Sequence, residues 1–235
     1  ARWRLTPQNT ESERSRSSNS SGIAPVNQWQ PWKRLSVSLM SECRAFVRVR
    51  LTTFQVMGRQ GTGLGRGRTY PASAARHLLN PLRNVVQPAA RIVRRMELRP
   101  EDHVLEFGCG PGWFSPTIAE SVPRGRLVLC DIQEEMLAAA ARRTERFGNV
   151  WTVRSDGESL PFPDASFDAV LLSAVLGEVA DPAACLRELR RVLRPGGSVT
   201  VVETRRDSDF ISMRDLSRLA GPAGLTIQKS WGFPW

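Results

Sequence analysis

The 235-residue sequence predicts an α/β fold: a doubly wound, mostly parallel sheet with helices on both faces. Two observations carry the prediction. From residue 103 onward, short apolar runs alternate with stretches of helical period, the order that builds successive β-α-β units. The first of these runs, V-L-E-F at 104–107, passes into G-C-G-P-G at 108–112, the composition of a tight turn between a strand and a helix.

The elements follow in order. Residues 72–96 read as one or two helices interrupted at Pro81 and Pro88, with Leu78, Leu79, Leu82, Val85 and Val86 as an apolar stripe. A first strand is expected at 103–107 and a helix at 112–121. A second strand follows at 126–131, then an Ala-, Leu- and Glu-rich helix at 133–147 and a third strand at 150–154. The fourth strand is placed at 167–172. A helix at 182–193 is expected to stop at Pro195-Gly196-Gly197. A fifth strand (198–203), a helix (211–221) and a sixth strand (225–230) complete the pattern. Right-handed crossovers put the loops after strands one to four on one edge, where open sheets bind ligands.

Composition divides the chain in two. Its formal charge is +10, but residues 1–70 hold twelve Lys and Arg against three Asp and Glu, while the remainder holds 21 against 20. The basicity belongs to residues 1–69, which are Ser-rich at 10–22 and alternate Gly with Arg at 58–68. Sparse apolar residues and excess charge predict a disordered tail there, dispensable for ligand binding, with 32–57 as the one stretch apolar enough for a short helix or strand. The predicted domain is 70–235, with a helical cap at 70–97 and a core at 103–235. A nearly neutral domain gives little electrostatic reason to expect a nucleic-acid substrate. Cys43, Cys109, Cys130 and Cys185 show no C-x-x-C spacing, and with only His77 and His103 no metal set is expected. Unpaired cysteines fit a reducing cytoplasm, and no apolar run is long enough to cross a bilayer.

The chemistry concentrates at two strand tips. Glycines at 108, 110 and 112 let backbone approach a ligand closely. Nineteen residues beyond the last of them, Asp131 ends the second strand, where a carboxylate can accept hydrogen bonds from ribose hydroxyls. The motif is G-x-G-x-G. A dinucleotide-dependent oxidoreductase would need a third glycine at 113, which is Trp113, and no Tyr-Lys pair follows.

Five segments in order, E-F-G-C-G-P-G (106–112), D-I (131–132), S-D-G (155–157), L-P-F-P-D-A-S-F-D-A-V (160–170) and L-R-E-L-R-R-V-L-R-P-G-G (186–197), resemble the class I S-adenosylmethionine-dependent methyltransferases. They are most like the small-molecule branch (methyltransferase type 11) that includes enzymes of ubiquinone and menaquinone biosynthesis. The resemblance covers roughly 70–235 and implies a Rossmann-like fold, S-adenosyl-L-methionine as cofactor and a small-molecule methyl acceptor. It implies that Gly108, Cys109, Gly110 and Gly112 surround the methionine part and that Glu106 faces its amino end. It also implies that Asp131 binds the ribose, Ile132 packs on the adenine, Asp156 with Gly157 meets the adenine amine, and Ser173 with Ala174 lines the floor near the sulfonium. Each residue has a plainer alternative: Glu106 as a helix cap, Asp131 as an N-cap before Gln133, Asp156 as a turn residue. The face of Arg187, Arg190, Arg191 and Arg194 reads as solvated surface.

Two departures from the family stand out. Glu178 follows the fourth strand where relatives often carry His. Glu178 and His77 are thus the candidates for a general base, should the acceptor need to lose a proton. The family's last strand, antiparallel and inserted between strands five and six, has no counterpart before Trp235, so the fold is expected to lack it and leave two strand edges bare. Two further function classes stay open at this level. One is a nucleic-acid methyltransferase using the basic tail, although the place of an N/D-P-P-Y/F clamp holds Ser173-Ala174-Val175-Leu176. The other is a non-catalytic cofactor-binding module. The acceptor atom and the oligomeric state are not encoded in any recognisable signature.

Overall fold

The computed structural model describes residues 5–7, 47–54, 70–71, 73, 75–81, 83, 87–204 and 209–231. An eight-stranded sheet runs through it in the order β1-β5-β4-β3-β6-β7-β2-β8. The strands are β1 (Leu5–Pro7), β2 (Val47–Phe54), β3 (His103–Phe107), β4 (Arg126–Asp131), β5 (Val150–Arg154), β6 (Phe167–Ser173), β7 (Leu193–Thr204) and β8 (Leu225–Trp231). The helices are α1 (Ala75–Leu78), α2 (Ala89–Arg95), α3 (Ser115–Ser121), α4 (Glu134–Thr144), α5 (Pro182–Val192) and α6 (Met213–Ala220). All pairings are parallel except β1 with β5.

Period-two alternation explains why helices cover both faces. Leu105, Phe107, Val128, Cys130, Val170 and Leu172 point into one core, which α5 and α6 close with Leu186, Leu189 and Leu216. Their neighbours Val104, Leu127, Leu129, Ala169 and Leu171 point into the other, closed by Ile92 and Val93 of α2, Ile118 of α3 and Leu137 and Ala140 of α4. From β3 the chain winds outward through β4 to β5, then crosses back to β6 on the other side of β3. The reversal between β3 and β6 opens a crevice outside their carboxyl ends, where an open α/β sheet takes its ligand.

The expected bare edges between the fifth and sixth predicted strands are not bare. β2, from the segment assigned to the tail, lies between β7 and β8 and is parallel to both. Residues 48–54 register against 198–204 of β7, and among the described residues β8 finds its only strand partner in β2. The sequence V-R-V-R-L-T-T-F supplies the alternation and β-branched residues such a position requires. Arg50 faces α2: its guanidinium donates to the carbonyls of Arg95 and Met96 and pairs with Glu97 at 2.6 Å, satisfying orphan carbonyls at a helix C-terminus with a cation. Glu97 also holds Lys229 of β8 at 2.8 Å. Residues 5–7 pair with β5. The other residues of 1–69, where disorder was expected, lie outside the described residues.

Three further expectations need correction. The residues before Ser115 form a turn, so the helix expected from 112 begins later. Pro195-Gly196-Gly197 is not what stops α5. That helix ends at Val192, the chain is extended from Leu193, and the Pro-Gly-Gly run makes an irregularity between the pairs Phe167↔Leu193 and Ala169↔Ser198. The arginines of 187–194 are not all solvated. Arg191 donates to the carbonyls of Leu160 and Phe162 and pairs with Asp164 and Glu188, while Arg194 reaches Asp168 and the His103 ring. Long side chains on a nominally polar face reach over and brace the 160–168 segment. Asp168 also accepts the His103 N–H at 2.8 Å and so ties β6 to β3.

Candidate cofactor site

The glycine loop rises from the tip of β3 at the topological reversal. The N–H groups of Gly108 and Cys109 both donate to the Cys130 carbonyl, at 2.8 and 3.0 Å, so the loop is pinned to the tip of β4. Gly108 has a φ of +65°, and a Cβ there would lie 2.3 Å from Cγ2 of Val175 in the loop after β6. Gly108→Ala is expected to cost about 2–4 kcal/mol, from the left-handed backbone and the overpacking together, measured as a shift in denaturant midpoint. Gly110, at φ +53°, is different: among the described residues a Cβ there would meet only Leu78 Cδ1, at 3.8 Å. Its outer face is open, the cradle a close-lying ligand needs.

Asp131 is 7% exposed and uses both oxygens. Oδ2 accepts the Gly110 N–H at 2.8 Å, and Oδ1 accepts the N–H of Gln133, the residue that caps α4, at 2.9 Å. Burial raises its pKa, and these backbone donors oppose the rise. The carboxylate expected to bind ribose therefore also ties the glycine loop to the start of α4. Beside it, Ile132 is one of two large apolar side chains exposed among the described residues.

Glu106 is 3% exposed and accepts a 2.7 Å hydrogen bond from Ser115 Oγ, at the start of α3. Glu106 thus reaches the start of α3 through the Ser115 side chain rather than as a cap on its backbone N–H groups. Burial pushes the carboxyl up to about 8, opposed by the Ser115 bond and the charge of Arg83 and reinforced by Asp131. Ser173, at the tip of β6, has a buried Oγ with no hydrogen-bond partner among the described residues. Ala174 follows in a left-handed turn at φ +55°, its N–H on the Val202 carbonyl.

Asp156 is exposed and accepts the Glu158 N–H at 3.1 Å, the turn role its alternative reading gave it. Gly157 behind it is buried, and a Cβ there would lie 2.2 Å from Phe107 Cζ. Glu178 accepts the backbone N–H of Tyr70 at 3.2 Å, while Gln133 donates to the Tyr70 carbonyl at 2.8 Å. One residue of the segment before α1 is thus held by both sides of the crevice. His77 falls on α1, and its side chain is outside what the structure describes. Cys109 is a buried thiol with a pKa raised well above the usual value by burial, which makes it a packing residue of the loop. No group able to hold a metal ion occurs among the described residues.

Tyr70, Arg83, Ser115 and Gln133 were not singled out from sequence. Arg83 carried the one available signal, a lone charge inside an otherwise apolar run.

The comparisons with known proteins bear on the same elements. Residues 105–201, from β3 into β7, match the methyltransferase domain family Methyltransf_11. That match covers less than half of this chain. An uncharacterized 37.1 kDa protein of transposon TN4556 from Streptomyces fradiae is 43% identical over 122 residues, 52% of this chain and 35% of that protein. A demethylmenaquinone methyltransferase from Staphylococcus aureus (strain JH9) is 36% identical over 115 residues, 48% of each chain. The chain thus spans half or less of the length of these curated relatives. A S-adenosylmethionine-dependent methyltransferase from Aquifex aeolicus superposes with a TM-score of 0.62 at 22% identity, over 66% of this chain and 89% of that one, which establishes the shared fold. The domain's residues fit the cofactor of that family. Glu106 and Gly110, Ile132 and Ser173, with its buried hydroxyl, lie at or just beyond the carboxyl ends of β3, β4 and β6.

Proposed function

We propose that the chain binds S-adenosylmethionine and transfers its methyl group to a small-molecule acceptor by in-line displacement. The observation that carries this reading is the pinning of the open Gly110 cradle to Asp131 at the sheet reversal. When bound, the cofactor supplies a methyl carbon already activated by a positive sulfur, so the protein's task is positioning. Glu106 would take the ammonium of the methionine part. Asp131 would accept from the ribose hydroxyls while keeping its backbone donors, Ile132 would pack on the adenine, and Asp156 with Gly157 would meet the exocyclic amine. Gly108, Cys109 and Gly112 would shape the loop around the methionine chain, and Ser173 would satisfy its hydroxyl on the floor. The 70–97 segment would serve as a cap over the 103–235 core. Glu178, anchored to Tyr70, would hold that cap; as a carboxylate it could also accept a proton from an acidic acceptor.

The name of the Staphylococcus aureus relative makes a demethylmenaquinone-type ring the first acceptor to try. Buried free thiols at 109, 130 and 185 support the cytoplasm as the working compartment. No helix among the described residues is long and apolar enough to cross a membrane. Titration calorimetry with S-adenosylmethionine, followed by transfer of labelled methyl to a quinol acceptor or a fractionated cell extract, tests the proposal. Failure of the full chain to bind the cofactor at millimolar concentration overturns it.

The Glu106 carboxyl gives a pH signature. At pH 7 it is mostly protonated, because its pKa sits near 8. Pairing with an ammonium favours the carboxylate, so binding is expected to release close to one proton at pH 7 and to tighten as pH rises from 6 toward 8. Calorimetry in buffers of different ionisation enthalpy reads the proton count; zero release removes the ammonium role. The sign is opposite for stability. Folded Glu106 holds its proton more tightly than the unfolded chain does. That stabilisation is full below the ordinary carboxyl pKa and is lost as pH rises through about 8, so the ligand-free protein weakens over that window.

A further inference from the structure

A bulge in β8 gathers cations beside α2. Val49 of β2 pairs with Ile227 and the next residue, Arg50, with Lys229, so Gln228 is an extra residue in the ladder. Such an insertion re-aims the side chains beyond it. Ile227, before the bulge, packs against the core closed by α5 and α6. Lys229 and Trp231, beyond it, meet the α2 side instead. Lys229 Nζ lies 2.8 Å from Oε1 of Glu97, just after α2, and the Arg95 guanidinium carbon lies 5.1 Å from the Trp231 ring centroid. α2 buries Ile92 and Val93 and turns Arg91, Arg94 and Arg95 outward, the i, i+3, i+4 spacing of one helix face. Among the described residues none of these three has a salt bridge, whereas Arg124, Arg146 and Arg218 are each paired. Glu97 supplies a carboxylate, but Arg50 and Lys229 already share it. Burial lowers the Arg95 pKa, and the charges of Arg91 and Arg94 lower it further. Residues 71–235 hold 21 basic groups against 20 acidic, so this gathering of one sign stands out on a nearly neutral domain. Like charges held together in this way attract an anionic partner.

We propose that the face formed by Arg91, Arg94 and Arg95 of α2 and the bulged end of β8 docks on an anionic phospholipid surface. Guanidinium groups match phosphate oxygens in a planar, forked geometry, and Lys229 adds charge at the flank. The Trp231 ring favours a bilayer over a nucleic acid. Arg95 lies over it, so it offers no open face on which a base could stack, whereas an amphipathic ring beside a cation suits the headgroup level. The apolar side of α2 is committed to the core through Ile92 and Val93, so the helix docks by charge without inserting, and salt reverses it. The inference is independent of what the crevice binds.

Co-sedimentation of the full chain with unilamellar vesicles tests the docking. One set is phosphatidylcholine alone and the other contains a quarter of phosphatidylglycerol. The unaltered chain is expected to bind the mixed vesicles at low salt, to ignore the neutral ones and to be released as salt rises. Residues 1–69 carry positive charge of their own, so substitution separates the face from the tail. Each arginine near an anionic bilayer contributes about fivefold in affinity, so Arg91→Gln, Arg94→Gln and Arg95→Gln together are expected to weaken binding about 100-fold. Arg91→Gln with Arg94→Gln is expected to weaken it about 25-fold. That pair leaves Arg95 on Trp231 and decides the matter should the triple variant fail to fold by circular dichroism. A control removes the same charge elsewhere, through Arg124→Gln, Arg146→Gln and Arg218→Gln together, and is expected to change binding less than about fivefold. No binding of mixed vesicles by the unaltered chain, undiminished binding by the α2 variants, or an equal loss in the control overturns the assignment. A single-stranded RNA oligomer that displaces the vesicles and loses affinity on the same α2 substitutions makes the partner a nucleic acid and overturns it too.

Discussion

A chain lacking residues 1–57 is expected to lose its single cooperative unfolding transition, or to melt more than 10 °C lower, and to lose measurable cofactor binding. β2 is the strand on which β8 pairs, and it separates β8 from β7. Its removal exposes two edges and leaves the carbonyls of Arg95 and Met96, together with Glu97, without the Arg50 guanidinium. The sum of a lost ladder, a lost buried cation and an opened core rivals the roughly 5–15 kcal/mol that holds a domain together. The effect should reach the site, because α2 leads directly into β3. The control is a chain lacking residues 8–44, which keeps both paired segments. Differential scanning calorimetry reads the result: an unchanged transition in the 1–57 deletion would mean that β2 adds nothing to the sheet.

Asp131→Ala should give the second large effect. The substitution removes the proposed ribose contact and two backbone anchors at once, the N–H groups of Gly110 and Gln133. Leaving those donors without an acceptor costs about 1–3 kcal/mol each where water is excluded, and less where it enters. A loss near 3 kcal/mol, or roughly 150-fold in affinity for S-adenosylmethionine, is the expected outcome. Asp131→Asn keeps the shape and accepts one of the two N–H groups, so it should fall between. Backbone amide exchange at Gly110 distinguishes the two contributions: faster exchange marks the released loop even without ligand. Unaltered affinity together with unaltered exchange would contradict both roles of the carboxylate.

The strands from β3 to β8 were legible because a buried parallel sheet imposes period two and a near-continuous apolar run, and both are local properties of the chain. The glycine loop was legible because its backbone conformation restricts residue type. β2 was much harder to read. Its alternation is present in V-R-V-R-L-T-T-F, but pairing to β7 and β8 spans roughly 150 residues of sequence, and nothing local announces such a partner. Arg191 and Arg194 misled for a related reason. Helical periodicity gives the direction of a Cβ, not the reach of a guanidinium several bonds beyond it. Arg83 is the same problem: the Leu78 carbonyl, the Gln87 amide and the Trp113 and Phe114 rings around it arrive from separate segments. The N-cap reading of Asp131 was legible in the sequence and matches its bond from the Gln133 N–H, whereas its tie to the Gly110 N–H depends on how the glycine loop folds back and had no local signal.

The direction of β2 has a consequence for how such a domain can be rebuilt. A position that the resemblance assigned to an antiparallel segment from the far end of a chain holds here a segment from the near end, running the other way. Spatial neighbourhood in the sheet is therefore separable from gene order. A rearrangement that moves terminal coding sequence from one end to the other can leave the architecture standing, and a permuted gene that opens the chain between β2 and α1 is a natural starting point for engineering new entrances to the crevice at the sheet reversal.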